Sequence, residues 1–258
     1  MASFATSVKP ASQALRYTSV TSWLQAEIPV LVPCFNSPTY ARNMLGQLRA
    51  LGFGRVVLLD NASTSPDMRD WLNSLNGEAT VIWLPGNYGP HHVIHDPGSL
   101  AWLPRYFCIT DPDLQFNPAL PDGFLGHLAT LTKRYSKGEA GFALDISDHH
   151  AMRDDLFDVG GRKSNIWEWE RQFWEQPLEP LESCDSVYDA QIDTTFALYD
   201  KDFFDPANSL RAVRVAGRFT ARHLPWYRDR GLPEAEAADY ERTQRFSSYQ
   251  RLLKPSAR

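Results

Sequence analysis

The chain has 258 residues, a formal net charge of −5 and 12% aromatic residues, including eight tryptophans. This length suffices for a sizeable core in one large or two small α/β domains, and the acidic balance argues against a broad nucleic-acid interface. The three cysteines, Cys34, Cys108 and Cys184, lack paired or metal-type spacing, which favours reduced thiols. No stretch has the pattern of a signal peptide or a bilayer span, so the sequence predicts a cytoplasmic protein, soluble or peripheral to a membrane.

The first half of the chain alternates strand and helix patterns. Residues 1–27 are polar and predict a loose N-terminal arm. Helical stripes follow the spacing of 3.6 residues per turn at 41–51, 68–75 and 124–135. Apolar strand-type runs are predicted at 28–32, 56–59, 81–84, 106–110 and 141–146. This order predicts the α/β class, with a mostly parallel central sheet flanked by helices on both faces, and a loop over 85–104.

The second half is less regular. A helix with two apolar faces is predicted over 165–175, and strands are predicted over 194–199 and 210–215. The tail 233–258 has a helical composition with one apolar stripe and several arginines. Such an amphipathic helix favours a solvated surface position, and docking on the domain, on a partner enzyme or on a membrane stays open.

The most informative segment is the strand-type run Tyr106 to Thr110 followed by Asp111, Pro112 and Asp113. Proline cannot donate to a sheet ladder, so the two carboxylates are expected at the end of a buried strand, facing a cleft. Carboxylate oxygens are the preferred ligands of Mg²⁺ and Mn²⁺, often together with substrate phosphates. The tripeptide alone fits equally well a turn in which aspartates cap backbone amides.

Other predicted strands also end in polar groups, and ligands of parallel sheets bind at the carboxyl ends of strands. These groups are Asn36, Asp60 with Asn61, and Asn87 a few residues further on. The first strand–helix turn, Pro33 to Pro38, contains neither Gly-x-Gly-x-x-Gly nor Gly-Lys-Ser/Thr, which excludes the usual nicotinamide and P-loop sites. A metal held by the aspartates would therefore neutralise a diphosphate.

Four segments, in order, carry a family resemblance: IPVLVPCFN, VVLLDNAS, PGNYGP and FCITDPDL. The series resembles glycosyltransferases of the GT-A fold, in particular family 2-like enzymes, over residues 28–146. The later HLPWY resembles the C-terminal metal-binding histidine segment of several GT-A families. The resemblance implies a single GT-A-like domain over 28–232, with a Rossmann-like nucleotide-sugar half (28–148) and an acceptor half (149–232).

The resemblance also implies roles for individual residues. Asp113 would bind Mn²⁺ or Mg²⁺, with Asp111 and His223 as further contacts. Asp111 would also face the ribose or the donor sugar, Asp60 would accept hydrogen bonds from the base, and the remaining donor-site residues would be Pro33, Phe35 and Asn87. Arg218 and Arg222 flank His223 and could pair with phosphate, although exposed arginines without a role fit the pattern equally well.

The catalytic base is the weakest part of the resemblance. Family 2 enzymes usually carry a Glu-Asp pair before an acceptor-side helix, and this chain has none clearly placed. Asp193, in AQIDTTFAL, is the best substitute, with Asp145 and Asp148 as competitors. In an inverting reaction, slightly favoured here, this carboxylate deprotonates the acceptor hydroxyl; in a retaining reaction, it could lie beneath the anomeric carbon.

The expected function is metal-dependent transfer of a sugar from a nucleotide-diphosphate donor, with a UDP-sugar favoured, to a glycan or glycolipid hydroxyl. Such a reaction belongs to surface polysaccharide or glycoconjugate synthesis. A sugar nucleotidyltransferase and a non-catalytic nucleotide-sugar or glycan-binding module are the alternatives. A zinc site on His91 and His95 is disfavoured, because the glutamate of a zinc hydrolase motif is absent and prolines confine the segment.

Overall fold

The structure is a computed structural model, and it describes residues 20–159, 162–180, 185–192, 195–209, 211–243 and 245. The helices are α1 (Val20–Glu27), α2 (Pro38–Ala50), α3 (Pro66–Ser74), α4 (His92–His95), α5 (Pro97–Trp102), α6 (Phe124–Tyr135), α7 (Ile166–Glu170) and α8 (Glu234–Thr243). The strands are β1 (Val30–Cys34), β2 (Val56–Asp60), β3 (Thr80–Trp83), β4 (Tyr106–Ile109), β5 (Leu114–Phe116), β6 (Glu139–Leu144), β7 (Leu156–Val159), β8 (Arg162–Asn165), β9 (Pro177–Pro180), β10 (Ser186–Asp189), β11 (Ala197–Asp200) and β12 (Ala212–His223).

Ten strands form one mixed sheet in the order β3-β2-β1-β4-β11-β6-β12-β10-β9, with β5 pairing against β12. The pairs β3–β2, β2–β1, β1–β4 and β6–β12 are parallel. Strand β11 runs antiparallel between β4 and β6. The predicted α/β class, with a largely parallel central sheet and flanking helices, is confirmed.

The direction of strand order reverses at β1. The chain proceeds outward from β1 to β2 and β3, and then returns to place β4 on the other side of β1. Such a switch point opens a crevice at the carboxyl ends of the two strands, since their connections leave in opposite directions. The turn after Cys34 and the turn after Ile109 therefore lie next to each other.

Amphipathic helices cover one face of the sheet. In α2, Ala41, Met44, Leu45 and Leu48 are buried, as the helical stripe predicts. Helix α3 begins at a proline after Ser65, whose side-chain oxygen accepts a hydrogen bond from the Met68 backbone amide. The capping residue and the first-turn proline thus define this helix start locally.

The opposite face is covered by the segment predicted as a loop over 85–104. It contains the short helices α4 and α5, which bury Val93 and Ile94 against Leu31, Leu59 and Phe107 of the sheet. The sequence pattern does not predict these helices, because each is at most six residues long and too short to show an apolar stripe.

The N-terminal expectation is wrong for residues 20–27, which form α1 rather than a loose arm. Gly54 explains how α1 is held: a Cβ at this position would lie 2.6 Å from the carbonyl oxygen of Ala26, so only glycine permits this approach. The Glu27 carboxylate also pairs with Arg55 at 2.8 Å. Residues 1–19 lie outside the described residues.

Strand β12 is much longer than the run predicted over 210–215. A shift in its pairing with β6 falls between Val215 and Thr220, and Gly217 has a φ of +68°, which glycine adopts without strain. Beyond this bulge the strand also pairs with β5, so that it extends to His223. A purely local pattern cannot show this, because the pairing partner lies a hundred residues away.

Two further predictions are partly confirmed. The helix expected over 165–175 consists of α7 followed by a 3₁₀ turn over 171–174. The tail is helical over Glu234–Thr243, and the residues from 246 onward lie outside the described part. Within the described ranges, no helix combines the length and the apolar character needed to cross a bilayer.

Candidate active site

A cavity of about 840 Å³ opens at the β1–β4 switch point. Its volume lies in the range of small-molecule sites in proteins. Six of the sequence-predicted residues line it: Pro33, Phe35, Asn87, Asp111, Asp113 and His223.

Three elements bring Asp111, Asp113 and His223 together. The aspartates lie between β4 and β5, where the chain reverses at the proline. His223 ends β12 directly opposite Leu114 of β5. A backbone hydrogen bond of 2.8 Å from the Leu224 amide to the Asp113 carbonyl then holds the two segments together.

The three side chains have the geometry of a cation site. One ligand atom from each lies within 4.8 Å of the others, and the Asp113 Oδ2 to His223 Nε2 distance is 3.4 Å. Asp113 Oδ1 and His223 Nδ1 are buried without a hydrogen-bond partner. Two carboxylates and an imidazole suit Mn²⁺ or Mg²⁺ completed by substrate oxygens, so the residues fit the metal that the sequence predicts.

Tyr40 from α2 lies beside this group. Its hydroxyl donates a hydrogen bond of 3.0 Å to the Arg230 carbonyl. Burial, together with the negative charge of Asp113, raises the pKa of Tyr40 well above its usual value. The hydroxyl is therefore a neutral donor at physiological pH rather than a phenolate.

The turn after β1 is held from two sides. Asn36 is fully buried with a φ of +50°, and its side-chain oxygen accepts the backbone amides of Thr64 and Ser65 at 2.8 and 2.9 Å. Its amide group donates to the Thr243 hydroxyl of α8 at 2.9 Å. The Thr39 hydroxyl donates to Glu236 at 2.6 Å.

Helix α8 therefore docks on the protein itself, at the turn that the sequence assigns to the nucleoside. Its Ala237, Tyr240 and Glu241 line the cavity. A membrane or partner contact through this helix has no support in the structure, because Thr243 bonds to the turn after β1 and Glu236 bonds to the start of α2.

Asp60 does not line the cavity. Its side chain is buried, and Oδ2 accepts a hydrogen bond of 3.0 Å from the Ser63 amide. Burial raises the pKa of Asp60, and the bonds from Ser63 oppose the rise. The neighbouring Asn61 does line the cavity, and its oxygen accepts the Tyr88 amide at 3.2 Å.

Arg218 and Arg222 are engaged elsewhere. Arg218 forms a forked ion pair with the buried Asp185, with Nη2 to Oδ2 at 2.7 Å. Arg222 pairs with Asp148 at 2.5 Å. Neither arginine lines the cavity. The alternation along β12 and β5 turns these side chains away from the aspartates, a feature that their closeness to His223 in sequence does not reveal.

The three candidates for the catalytic base are also separated. Asp145 Oδ1 accepts hydrogen bonds from the amide and hydroxyl of Ser147, and Asp148 binds Arg222 and the Tyr227 hydroxyl. Neither carboxylate lines the cavity. Asp193 lies outside the described residues, while Gln191, Ile192 and Thr195 around it line the cavity.

The deep end of the cavity contains charged residues that sequence reasoning missed as site residues. Arg214 and Glu170 form a buried ion pair, and the Arg214 Nε also donates to the Gln191 carbonyl at 2.7 Å. The Tyr199 hydroxyl donates to Glu139 at 2.6 Å. The available signal was a charged residue within an apolar strand, as in AVRVA and EAGFAL.

The loop 85–104 contributes His91 and His95 to the cavity wall. Their ring centroids are 6.3 Å apart. In the described part of the chain, the group Asp111, Asp113 and His223 is the one cluster of three that could hold a metal, so the zinc alternative gains no support.

No protein-family model and no curated protein matches the chain. Among solved structures, the chain is similar to GalNAc-T7 with UDP, GalNAc and Mn²⁺, at 14% identity and a TM-score of 0.45, covering 80% of this chain and 44% of that one. It is also similar to TarS from S. aureus (16%, TM-score 0.43, 76% and 59% covered) and to HddC from Yersinia pseudotuberculosis (9%, TM-score 0.43, 84% and 100% covered).

The chain thus spans less than two thirds of the GalNAc-T7 and TarS chains. All three TM-scores lie below 0.5, so the function proposed below rests on the residues of the cavity rather than on these similarities.

Proposed function

We propose that this protein is a metal-dependent glycosyltransferase of the GT-A type. It transfers a sugar from a nucleotide-diphosphate donor, a UDP-sugar in the favoured case, to a hydroxyl of a glycan or glycolipid. One observation carries the proposal: Asp111, Asp113 and His223, distant in sequence, offer ligand atoms within 4.8 Å of one another at the switch point of the sheet.

The cavity has the parts that such a reaction needs. When bound, a divalent cation offsets the negative charge of the departing nucleoside diphosphate. Pro33, Phe35 and Asn87 line the side of the cavity next to Asn61, which suits a nucleoside. Asp60 is buried, and we propose that it supports the backbone of this wall through its bond to the Ser63 amide.

We assign the donor half to residues 28–148 and the acceptor half to 149–232. Asp193 is our proposed catalytic base, because described residues on both sides of it line the cavity while Asp145 and Asp148 do not. Deprotonation of the acceptor hydroxyl by this carboxylate gives inversion at the anomeric carbon. A cytoplasmic location and a role in surface polysaccharide or glycoconjugate synthesis belong to the same proposal.

The test is turnover of a panel of UDP-, GDP-, CDP- and TDP-sugars with Mn²⁺ and then with a chelator. We expect metal-dependent release of a nucleoside diphosphate. Asp113→Ala should lower kcat/KM at least about 100-fold, since a carboxylate ligand of the proposed cation is lost. Asp193→Asn should lower kcat while leaving Mn²⁺ affinity unchanged.

Asp122→Ala is the matched control, because this aspartate is exposed and does not line the cavity. The proposal is contradicted if sugar-nucleotide turnover survives chelation or is undiminished in Asp113→Ala. Release of pyrophosphate from a nucleoside triphosphate and a sugar phosphate would indicate a nucleotidyltransferase instead. Tight binding of a nucleotide sugar without turnover would indicate a binding module.

A further inference from the structure

Arg153 lies in the cavity wall and has no role in the sequence-based assignment. It follows the short 3₁₀ turn over 149–151, and its backbone amide donates a hydrogen bond of 2.7 Å to the Trp226 carbonyl. The preceding Met152 forms a β-bridge with Tyr227. Arg153 is therefore fastened to the segment that continues directly from the metal-site residue His223.

The guanidinium of Arg153 has an unmet hydrogen-bonding requirement. Its Nε is shielded from solvent and has no hydrogen-bond partner. Among the described residues, no carboxylate forms an ion pair with it. A buried charged donor without an acceptor costs free energy, because it has lost its bonds to water.

The other arginines near the cavity differ from Arg153 in this respect. Arg214 is neutralised by Glu170 at the deep end, and Arg245 is exposed to water. Arg218 and Arg222 are paired with Asp185 and Asp148 and face away. Arg153 therefore combines a position in the cavity wall with a shielded donor that lacks an acceptor.

Arg153 also lies close to the candidate metal site. Arg153 lines the same cavity as Asp113 and Tyr40. The backbone of Gly231 lies next to the guanidinium, since a Cβ there would lie 3.2 Å from Arg153 Nη2.

We propose that Arg153 is the cation that binds the diphosphate of the donor, in the same cavity as Asp111, Asp113 and His223. The inference rests on the proposed function for the identity of the anion. A guanidinium presents parallel N–H groups that match phosphate oxygens. Its permanent positive charge offsets the negative charge of the diphosphate that a divalent cation does not neutralise. Arg153 takes the role that the sequence assigned to Arg218 and Arg222.

The experiment measures binding of inorganic pyrophosphate by calorimetry, with and without Mn²⁺, and of Mn²⁺ alone. We expect Arg153→Gln to weaken Mn²⁺-dependent pyrophosphate binding about 10- to 100-fold and to leave the affinity for Mn²⁺ alone unchanged. Arg153→Lys keeps the positive charge but loses the paired N–H groups of the guanidinium. Its pyrophosphate affinity should lie between those of the wild type and Arg153→Gln. Arg211→Gln is the matched control, because Arg211 is exposed and does not line the cavity.

Pyrophosphate affinity in Arg153→Gln equal to that of the wild type overturns the inference, as does failure of the wild type to bind pyrophosphate with Mn²⁺. An effect of Arg153 only on binding of inorganic phosphate without metal also overturns it, because that result would assign the residue to an acidic acceptor. If Arg153→Gln does not fold, the Mn²⁺-dependent pyrophosphate affinity of Arg153→Lys is compared with that of the wild type instead, and an unchanged affinity overturns the inference. Arg153-dependent pyrophosphate binding without turnover of any nucleotide sugar would contradict the proposed function while supporting the inference.

Discussion

The two ends of the cavity use acidic and basic residues in different ways. At the deep end, Arg214 and Glu170 are almost fully buried and bind each other. At the switch-point end, Asp113 and His223 are partly exposed, with one buried polar atom on each that has no partner. A neutralised buried pair mainly affects stability, whereas partly exposed side chains whose ligand atoms converge, as those of Asp111, Asp113 and His223 do, can serve a cation.

The largest expected effect on stability lies at the deep end. Arg214→Met should lower the free energy of unfolding by about 3–5 kcal/mol, because it leaves the buried Glu170 carboxylate without its counter-charge. It also removes the guanidinium that lies 4.3 Å from the Phe173 ring centroid and the bond to the Gln191 carbonyl. Denaturant unfolding measures the change.

The double variant Glu170→Met/Arg214→Met is the control for this prediction. Replacing both charges by apolar groups of similar volume should restore most of the lost stability, since no uncompensated charge remains. A double variant as unstable as the single one would show that Arg214 stabilises the fold by packing rather than by neutralising Glu170.

At the switch-point end, His223→Ala should change Mn²⁺ binding much more than stability. We expect Mn²⁺ affinity to fall at least about 10-fold, because loss of a ligand costs at least as much as loss of a residue that only orients one. The free energy of unfolding should change by less than about 1 kcal/mol, since the imidazole is partly exposed and its Nδ1 bonds to nothing. Calorimetry with Mn²⁺ and thermal melts separate the two quantities.

If His223→Ala is strongly destabilised but binds Mn²⁺ normally, His223 stabilises the fold rather than serving a ligand. The contact between the His223 and Trp226 rings, with centroids 4.8 Å apart, would then be the main role of the residue. His127→Ala on α6 is a suitable control for the loss of a partly buried imidazole, because His127 packs on Phe219 outside the cavity.

The smallest expected effect concerns Asp60, which is buried at the end of β2. Burial raises its pKa above the usual 3.8, so the folded protein favours the neutral carboxyl. The associated stability is present below pH 3.8 and is lost as the pH rises through the raised pKa. Asp60→Asn stays neutral, so its melting temperature relative to the wild type should rise by a few degrees at most between pH 3.5 and pH 7.

Thermal melts of the two proteins across this pH range provide the measurement. Asparagine can still accept the Ser63 amide through its side-chain oxygen, so the hydrogen bond at 3.0 Å is retained in the variant. A melting temperature of Asp60→Asn that falls relative to the wild type as the pH rises would show that the ionised carboxylate is the form that the fold stabilises.

Much of the first half of the chain could be predicted from local patterns. The apolar stripe of α2, the Ser65 cap of α3 and the strands that lead to Asp60 and Asp111 all depend on neighbours within a few residues. The convergence of Asp111, Asp113 and His223 was expected from the family resemblance, and the structure places their ligand atoms together.

The second half resisted prediction because long-range pairing shapes it. Past Gly217, β12 continues by pairing with β5 and again with β6, and β11 enters the sheet antiparallel between β4 and β6. Helix α1 was not predicted because its segment is polar and its attachment depends on the close approach of Gly54 to the Ala26 carbonyl. These contacts join residues that no local window contains.

The sequence by itself determined the main strands and the longer helices of the first half, the polar groups at strand ends and the residue types of a cation site, because these follow from periodicity and side-chain chemistry. Only the tertiary structure decided which charges neutralise each other. Arg218 and Arg222 pair with Asp185 and Asp148, while Arg153 enters the cavity with a donor that lacks an acceptor. The difference arises from strand register and burial, which decide where each side chain points and whether water can reach it.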